Sequence, residues 1–217
     1  MTYLVIAIML IGVALWFAAS YRALVGLSRS IRAAAETLAE RLARRHQALG
    51  NLIELVSGEL PKEPELARQL SEARAQAVAA AGRELKERQR LEDDLGERAG
   101  LLLAALQNDP AVGDDERYTR LRDAVLDAED ALTLARQDYN DLVVRFNARR
   151  TMLPARLFAA RAGIGPVEEF NIGDFFARHP LQIKATLPTP GKSAFPRISR
   201  RAGSDSESSA DRSTTKI

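Results

Sequence analysis

Cysteine is absent from the 217 residues, which excludes disulfides, thiolate metal sites and a cysteine nucleophile and suits a reducing compartment. Histidine is nearly absent. His46 and His179 stand in different segments, with no carboxylate at metal-ligand spacing. There is no glycine-rich phosphate loop, no serine elbow and no His-x-x-x-His pair. The carboxylate clusters Asp93-Asp94 and Asp114-Asp115-Glu116 read as a charged helix face and a helix start, where acids favour the exposed amide groups. The expectation is a non-enzyme with no cofactor and no metal. A large charge of one sign is missing too: the net charge is +2, which leaves no basic field for nucleic acid. Aromatics are only 6% of the chain, and the body is rich in Ala, Leu, Arg and Glu, a composition of long packed helices and not of a sheet.

What is present begins at the N-terminus. The nineteen residues Thr2 to Ser20 carry no charge and are almost all apolar. As a helix they reach ~28 Å, the thickness of a bilayer's hydrocarbon core. Tyr3 near one end and Trp16 and Tyr21 near the other sit where interfacial aromatics belong. No basic residue precedes the run, as a signal peptide would require, although Ala18-Ala19-Ser20 offers a small-residue cleavage site. An uncleaved anchor is the expectation, the cleaved signal peptide its competitor. Arg22, Arg29, Arg32, Arg41, Arg44 and Arg45 follow the span, so the N-terminus is expected outside and the body in the cytoplasm.

Apolar residues then recur at steps of three and four. The first series is Leu24, Leu27, Ile31, Ala34, Leu38, Leu42, Leu49, Leu52 and Val56, with no proline before Pro61, so span and helix can form one rod. A second helix is expected from Leu66 through Ala73, Leu85 and Leu95 to Leu106, closed by Asn108-Asp109-Pro110. The third runs Tyr118, Leu121, Val125, Ala128, Leu132, Ala135, Tyr139, Leu142 and Phe146, the seam of a coiled-coil-like bundle. The predicted fold is all-α: a transmembrane helix, then an elongated antiparallel three-helix bundle of helices of roughly 35–45 residues. The Ala-rich face around Ala75 to Ala81 offers room for another helix.

Beyond Arg150 the texture changes. Leu153-Pro154-Ala155 ends the third helix, and Leu157 to Ala162 forms a short extra one before Gly163, Gly165 and Pro166. Phe170, Ile172, Phe175 and Phe176 are expected to fold back on the bundle end. The Pro-, Ser- and Arg-rich tail is expected to be disordered and solvated, although its charge suits anionic lipid. The implied organisation is 1–22 anchor, 23–180 bundle and 181–217 tail.

A family resemblance lies in the third helix. Ala128-Glu129, Ala135-Arg136, Tyr139-Asn140-Asp141-Leu142-Val143, Phe146-Asn147 and Leu153-Pro154-Ala155 resemble the C-terminal signature of the LemA family. Arg44-Arg45-His46-Gln47-Ala48-Leu49-Gly50-Asn51-Leu52-Ile53-Glu54-Leu55-Val56 is similar to its arginine-pair block, and Gly58 and Ala73-Arg74 fall near two further positions. Gly50 stands where that pattern has Pro, Phe146 where it has a second Tyr, and Ala33-Ala34-Ala35-Glu36 where it commonly has an Ala-Trp pair. The resemblance covers about Tyr21 to Gly165. It implies a bacterial inner-membrane protein with a helical bundle, and no catalytic site to transfer.

The motif positions Arg44, Arg45, Asn51, Arg136, Tyr139, Asn140, Phe146, Asn147 and Pro154 read first as structural. Asn140 and Asn147 lie one heptad apart, each directly after an aromatic seam residue, where Asn can hydrogen-bond across helices and set register. Asn51 is the expected partner. The competing reading makes Arg136, Asn140 and Asn147 a ligand- or peptide-binding stripe. Arg44 and Arg45 read as a solvated or ion-paired face opposite Glu40 and Glu36. Two function classes follow: a membrane-anchored interaction or scaffold protein, with the bilayer and other proteins as partners, or a sensor or transport accessory that couples a membrane event to the rod.

Overall fold

The computed structural model describes residues 1–58, 63–109, 112, 115–159 and 163–173. Within them lie five helices, α1 (Thr2–Gly58), α2 (Pro64–Ala79), α3 (Leu85–Gln107), α4 (Glu116–Thr151) and α5 (Ala155–Ala159), and no strand. Phe175, Phe176, His179 and the tail fall outside the described residues.

The apolar run and the first body helix are one uninterrupted helix of 57 residues, ~85 Å long at 1.5 Å per residue. Its first half buries almost nothing: from Met1 to Ala19 only Phe17 is even partly covered. The most apolar 18-residue window has a mean hydropathy of 2.3 and is 0% buried, long and apolar enough to cross a membrane. From Ser20 onward the same helix buries a stripe: Leu24, Ile31, Leu38, Leu42, Leu49, Leu52 and Val56.

The longest partner of α1 is α4, which runs antiparallel to it. Asp115 caps the start of α4 by accepting from the backbone N–H groups of Arg117 and Tyr118, satisfying two of the four unpaired donors of a helix N-terminus. The side-chain hydrogen bond from Arg117 and then these two backbone bonds hold the Asp115 carboxyl below its usual range. Of the expected seam, Tyr118, Val125, Leu132, Ala135, Tyr139 and Phe146 are buried, Leu121, Ala128 and Leu142 are only half-buried, and Val143, outside the expected series, is buried in place of Leu142. The helix stops at Thr151, ahead of Leu153-Pro154, whose peptide bond is cis.

The expected second helix is two helices. The chain turns at Ala80 to Glu84, with the Arg83 N–H donating to the Ala80 carbonyl at 3.0 Å, and α3 returns along α2. Arg98 of α3 reaches Gln69 of α2 at 3.3 Å, which an unbroken helix forbids for residues 29 apart. The cause is local. Between Ala77 and Leu85 no large apolar side chain continues the stripe, and Gly82 costs a helix interior about 1 kcal/mol. Folding back packs Leu70, Ala73 and Ala77 on Leu95, Ala99, Leu102 and Leu103. Ala77 and Ala80, within the alanine-rich stretch expected to receive another helix, are thereby buried in the chain's own hairpin.

Two apolar cores result. One holds Leu49, Leu52, Val56, α2, α3, Val112, Tyr118 and Val125; the other, toward the N-terminal run, holds Leu24, Ile31, Leu38, Leu42, Leu132, Ala135, Tyr139, Val143, Phe146 and Phe170. Leu132, 1% exposed, is closely packed in the second, whereas Leu134 is 61% exposed. Leu132→Ala is expected to cost about 2–5 kcal/mol and Leu134→Ala less than about 0.5 kcal/mol, measured by denaturant unfolding of the full chain in detergent.

Candidate functional site

The third-helix motif holds a length of the protein's own chain. Asn147 accepts from the Val167 N–H through Oδ1 at 3.1 Å and donates to the Val167 carbonyl through Nδ2 at 2.8 Å. Asn140 does the same to Phe170, at 2.8 Å to the N–H and 3.0 Å to the carbonyl. The Tyr139 hydroxyl donates to the Glu168 carbonyl at 3.1 Å, and Arg136 donates to the Ile172 carbonyl. Burial pushes the Tyr139 phenol up, which keeps its proton available for that bond.

The spacing has a physical basis. Seven helical residues advance about 10.5 Å, and three residues of extended chain advance about 9–10 Å. One heptad of α4, Asn147 to Asn140, therefore matches one three-residue step, Val167 to Phe170. The next four helical residues, to Arg136, match two more, to Ile172. Almost all of these bonds go to main-chain groups; the exception is a 3.3 Å hydrogen bond from Asn140 Nδ2 to the Asn171 side-chain oxygen. The side-chain anchor is Phe170, 2% exposed in the core, with the Arg88 guanidinium 5.6 Å from its ring centroid. Gln89 and Asp93 of α3 hold the other edge, through the Glu169 carbonyl at 2.9 Å and the Gly173 N–H at 2.5 Å.

Asn51 is not the partner of these asparagines: it is exposed on α1. Arg136, Asn140 and Asn147 make structural contacts within the chain, to the segment 167–172 and not to another long helix. Phe146 is a core residue at 3% exposure, and Pro154 is buried at the helix end.

The arginine pair divides. Arg44 is exposed and pairs with Glu40 at 2.6 Å. Arg45 is not on a solvated face: it is 3% exposed. Its Nη1 meets Glu92 Oε2 of α3 at 3.0 Å and its Nε meets Glu129 Oε1 of α4 at 2.5 Å. The other Glu92 oxygen lies 3.0 Å from His46 Nε2, and the His46 carbonyl accepts from Arg74 of α2 at 2.5 Å. All four long helices are thus tied at one level of α1. Gly50 makes room for this: a Cβ there would stand 3.0 Å from the Arg74 guanidinium.

Glu92 was not singled out from sequence, and Glu129 appeared only within the Ala128-Glu129 motif with no partner assigned, although a signal exists. Leu38, Leu42, Arg45, Leu49 and Leu52 form an unbroken seam with one charged member, and Glu92 keeps the same register with Leu95, Ala99, Leu102 and Leu106. A charge at a seam position calls for buried partners. No group of three or more His, Cys, Asp or Glu suited to a metal ion occurs among the described residues.

Burial alone would raise the Glu92 carboxyl, but the His46 hydrogen bond and charge, then Arg45 and Arg88, outweigh it and hold the group below its usual range. A lowered carboxyl stabilises the fold above the unfolded value of about 4.3 and loses that contribution as pH falls through the folded value. Acidification below about pH 4 is therefore expected to destabilise the protein. Glu92→Gln should flatten that limb while costing about 3 kcal/mol at pH 7, read from urea melts at the two pH values. For the clamp, Asn140→Ala or Asn147→Ala is expected to cost about 1–3 kcal/mol and to abolish hydrogen-exchange protection at Phe170 or Val167 respectively. Asn51→Ala should leave both amides protected.

A comparison with curated proteins found no match. The family model described as the LemA family matches residues 34–184, a span that takes in α2, α3, α4, α5, the clamped segment and most of the bundle part of α1. That match covers more than half of the chain and both constellations above, and the protein belongs to the LemA family.

Proposed function

We propose that this is a non-enzymatic, membrane-anchored interaction protein of the bacterial inner membrane, with its bundle on the cytoplasmic side as the working surface. The observation that carries the reading is the continuity of α1: one helix supplies both the exposed apolar segment and one wall of the bundle core. A bundle built on its own anchor is presented at a set distance from the bilayer, as a scaffold requires. Side supports the reading through Arg22, Arg29 and Arg32, all exposed just after the apolar run. Arg44 and Arg45 add little to that argument, because carboxylates neutralise both.

A second reading, coupling of a membrane event to the bundle, draws on the same continuity, since an unbroken helix transmits rotation or translation. A Gly-Pro insertion between Arg22 and Ala23 separates the two. Under the scaffold reading, in-cell crosslinks from the bundle to its neighbours persist after the insertion. Their loss, with the bundle still folded by hydrogen exchange, favours coupling. For orientation, a reporter active only in the cytoplasm, fused after Ile217, is expected to be active. Silence of that fusion, with the chain intact in the membrane, places the bundle on the other side.

A further inference from the structure

The corner where α4 gives way to α5 has a surface unlike the rest of the bundle. Met152, Leu153 and Leu157 are 62%, 62% and 61% exposed, three large apolar side chains within six residues of a chain reversal. Single exposed leucines are ordinary on protein surfaces, but a cluster at a corner is not, since reversals are usually built from small and polar residues.

Its position is fixed by Phe158. That ring lies 6.2 Å from the ring of Phe17 and 6.0 Å from the ring of Tyr21. The corner therefore sits beside the last turn of the apolar run, level with Trp16 and Tyr21. The charge pattern of the two chain stretches that lead to this corner is one-sided. No Asp or Glu occurs from Met1 to Ala35, nor from Leu142 to Val167, while Arg22, Arg29, Arg32, Arg145, Arg149 and Arg156 fall in those stretches. Arg149, three residues before the apolar trio, and Arg156, between Leu153 and Leu157, are both exposed. Apolar side chains flanked by arginines with no acid nearby match a lipid interface, where the hydrocarbon edge takes the first and headgroup phosphates take the second.

We propose that the α4–α5 corner, Met152 to Phe158, is a second membrane-contact site that dips into the bilayer interface beside the span. The inference rests on Thr2–Ser20 being the span. It adds that the bundle is held at two points, α1 and this corner, and so cannot swing freely about a single tether. The expected depth is that of an interfacial segment, about 5–10 Å into the headgroup and acyl boundary.

The absence of cysteine makes the test direct. Full-length protein carrying one cysteine, Leu157→Cys or Met152→Cys, is labelled with an environment-sensitive fluorophore and placed in nanodiscs containing anionic lipid. Leu10→Cys serves as the mark of the span, and Leu101→Cys as an exposed apolar position remote from it. The proposal expects the labels at 157 and 152 to emit blue-shifted light and to be quenched by lipids bearing nitroxides near the headgroup end of the acyl chain. The label at 10 should be quenched from within the bilayer and the label at 101 not at all. A water-like, unquenched label at 157 and 152 beside a quenched label at 10 overturns the proposal and leaves the anchor standing. Blue-shifted but unquenched labels there mean that protein covers the corner, which also overturns it. A water-like label at 10 removes the anchor, and the two-point attachment with it.

Discussion

The buried charge of Arg45 is the constraint on which the rest of the bundle turns. It occupies a seam position of α1, between Leu42 and Leu49, at the level where one apolar core ends and the other begins. An unpaired guanidinium there would be prohibitively costly, so Glu92 of α3 and Glu129 of α4 must arrive at the same level. That demand fixes the axial register of three helices at once. Arg74, reaching across Gly50 to the His46 carbonyl, adds the fourth. Apolar layers on either side supply burial energy but tolerate a slip of one turn far better than an ion cluster does.

With that register set, the face of α4 that α1 does not cover is placed beside the start of α3, leaving a trough between them. The asparagine clamp fills it with the protein's own residues 163–173. A primary amide is the side chain that can both donate to a carbonyl and accept from an N–H on one residue of a passing chain. The doubled aromatic–asparagine pattern then has a single explanation. The aromatic faces the core, and the next residue, about a hundred degrees around the helix, faces the trough. The heptad between the pairs matches three residues of extended chain.

Much of this was legible from residues alone. The periodicity of α4 named the face it buries, because a long amphipathic helix buries one face whatever its partner, although Leu121, Ala128 and Leu142 are only half-buried and Val143 takes the place of Leu142. The uncharged run and its continuation into the bundle were equally plain, since nothing between Thr2 and Gly58 breaks a helix. The split of the second helix was less so. Gly82 and the missing stripe from Ala77 to Leu85 are visible in the sequence, but whether a weak stretch bends or runs straight depends on what the two halves gain by packing together. Arg44 and Arg45 are adjacent and alike, yet one is exposed and the other buried, a difference set by the hundred-degree step between neighbours on a packed helix.

Residue order alone establishes that the chain is helical, where its apolar faces lie and that its first twenty residues suit a bilayer. These are properties of local spacing and composition, which act without reference to distant partners. What Asn140 and Asn147 hold, which carboxylates meet Arg45, and that Phe158 brings an apolar corner against Phe17 and Tyr21 follow from the assembled helices. Each of these joins residues tens of positions apart or more. Such contacts depend on the register in which helices assemble, and register is an energy of the whole packed set, not of any one segment.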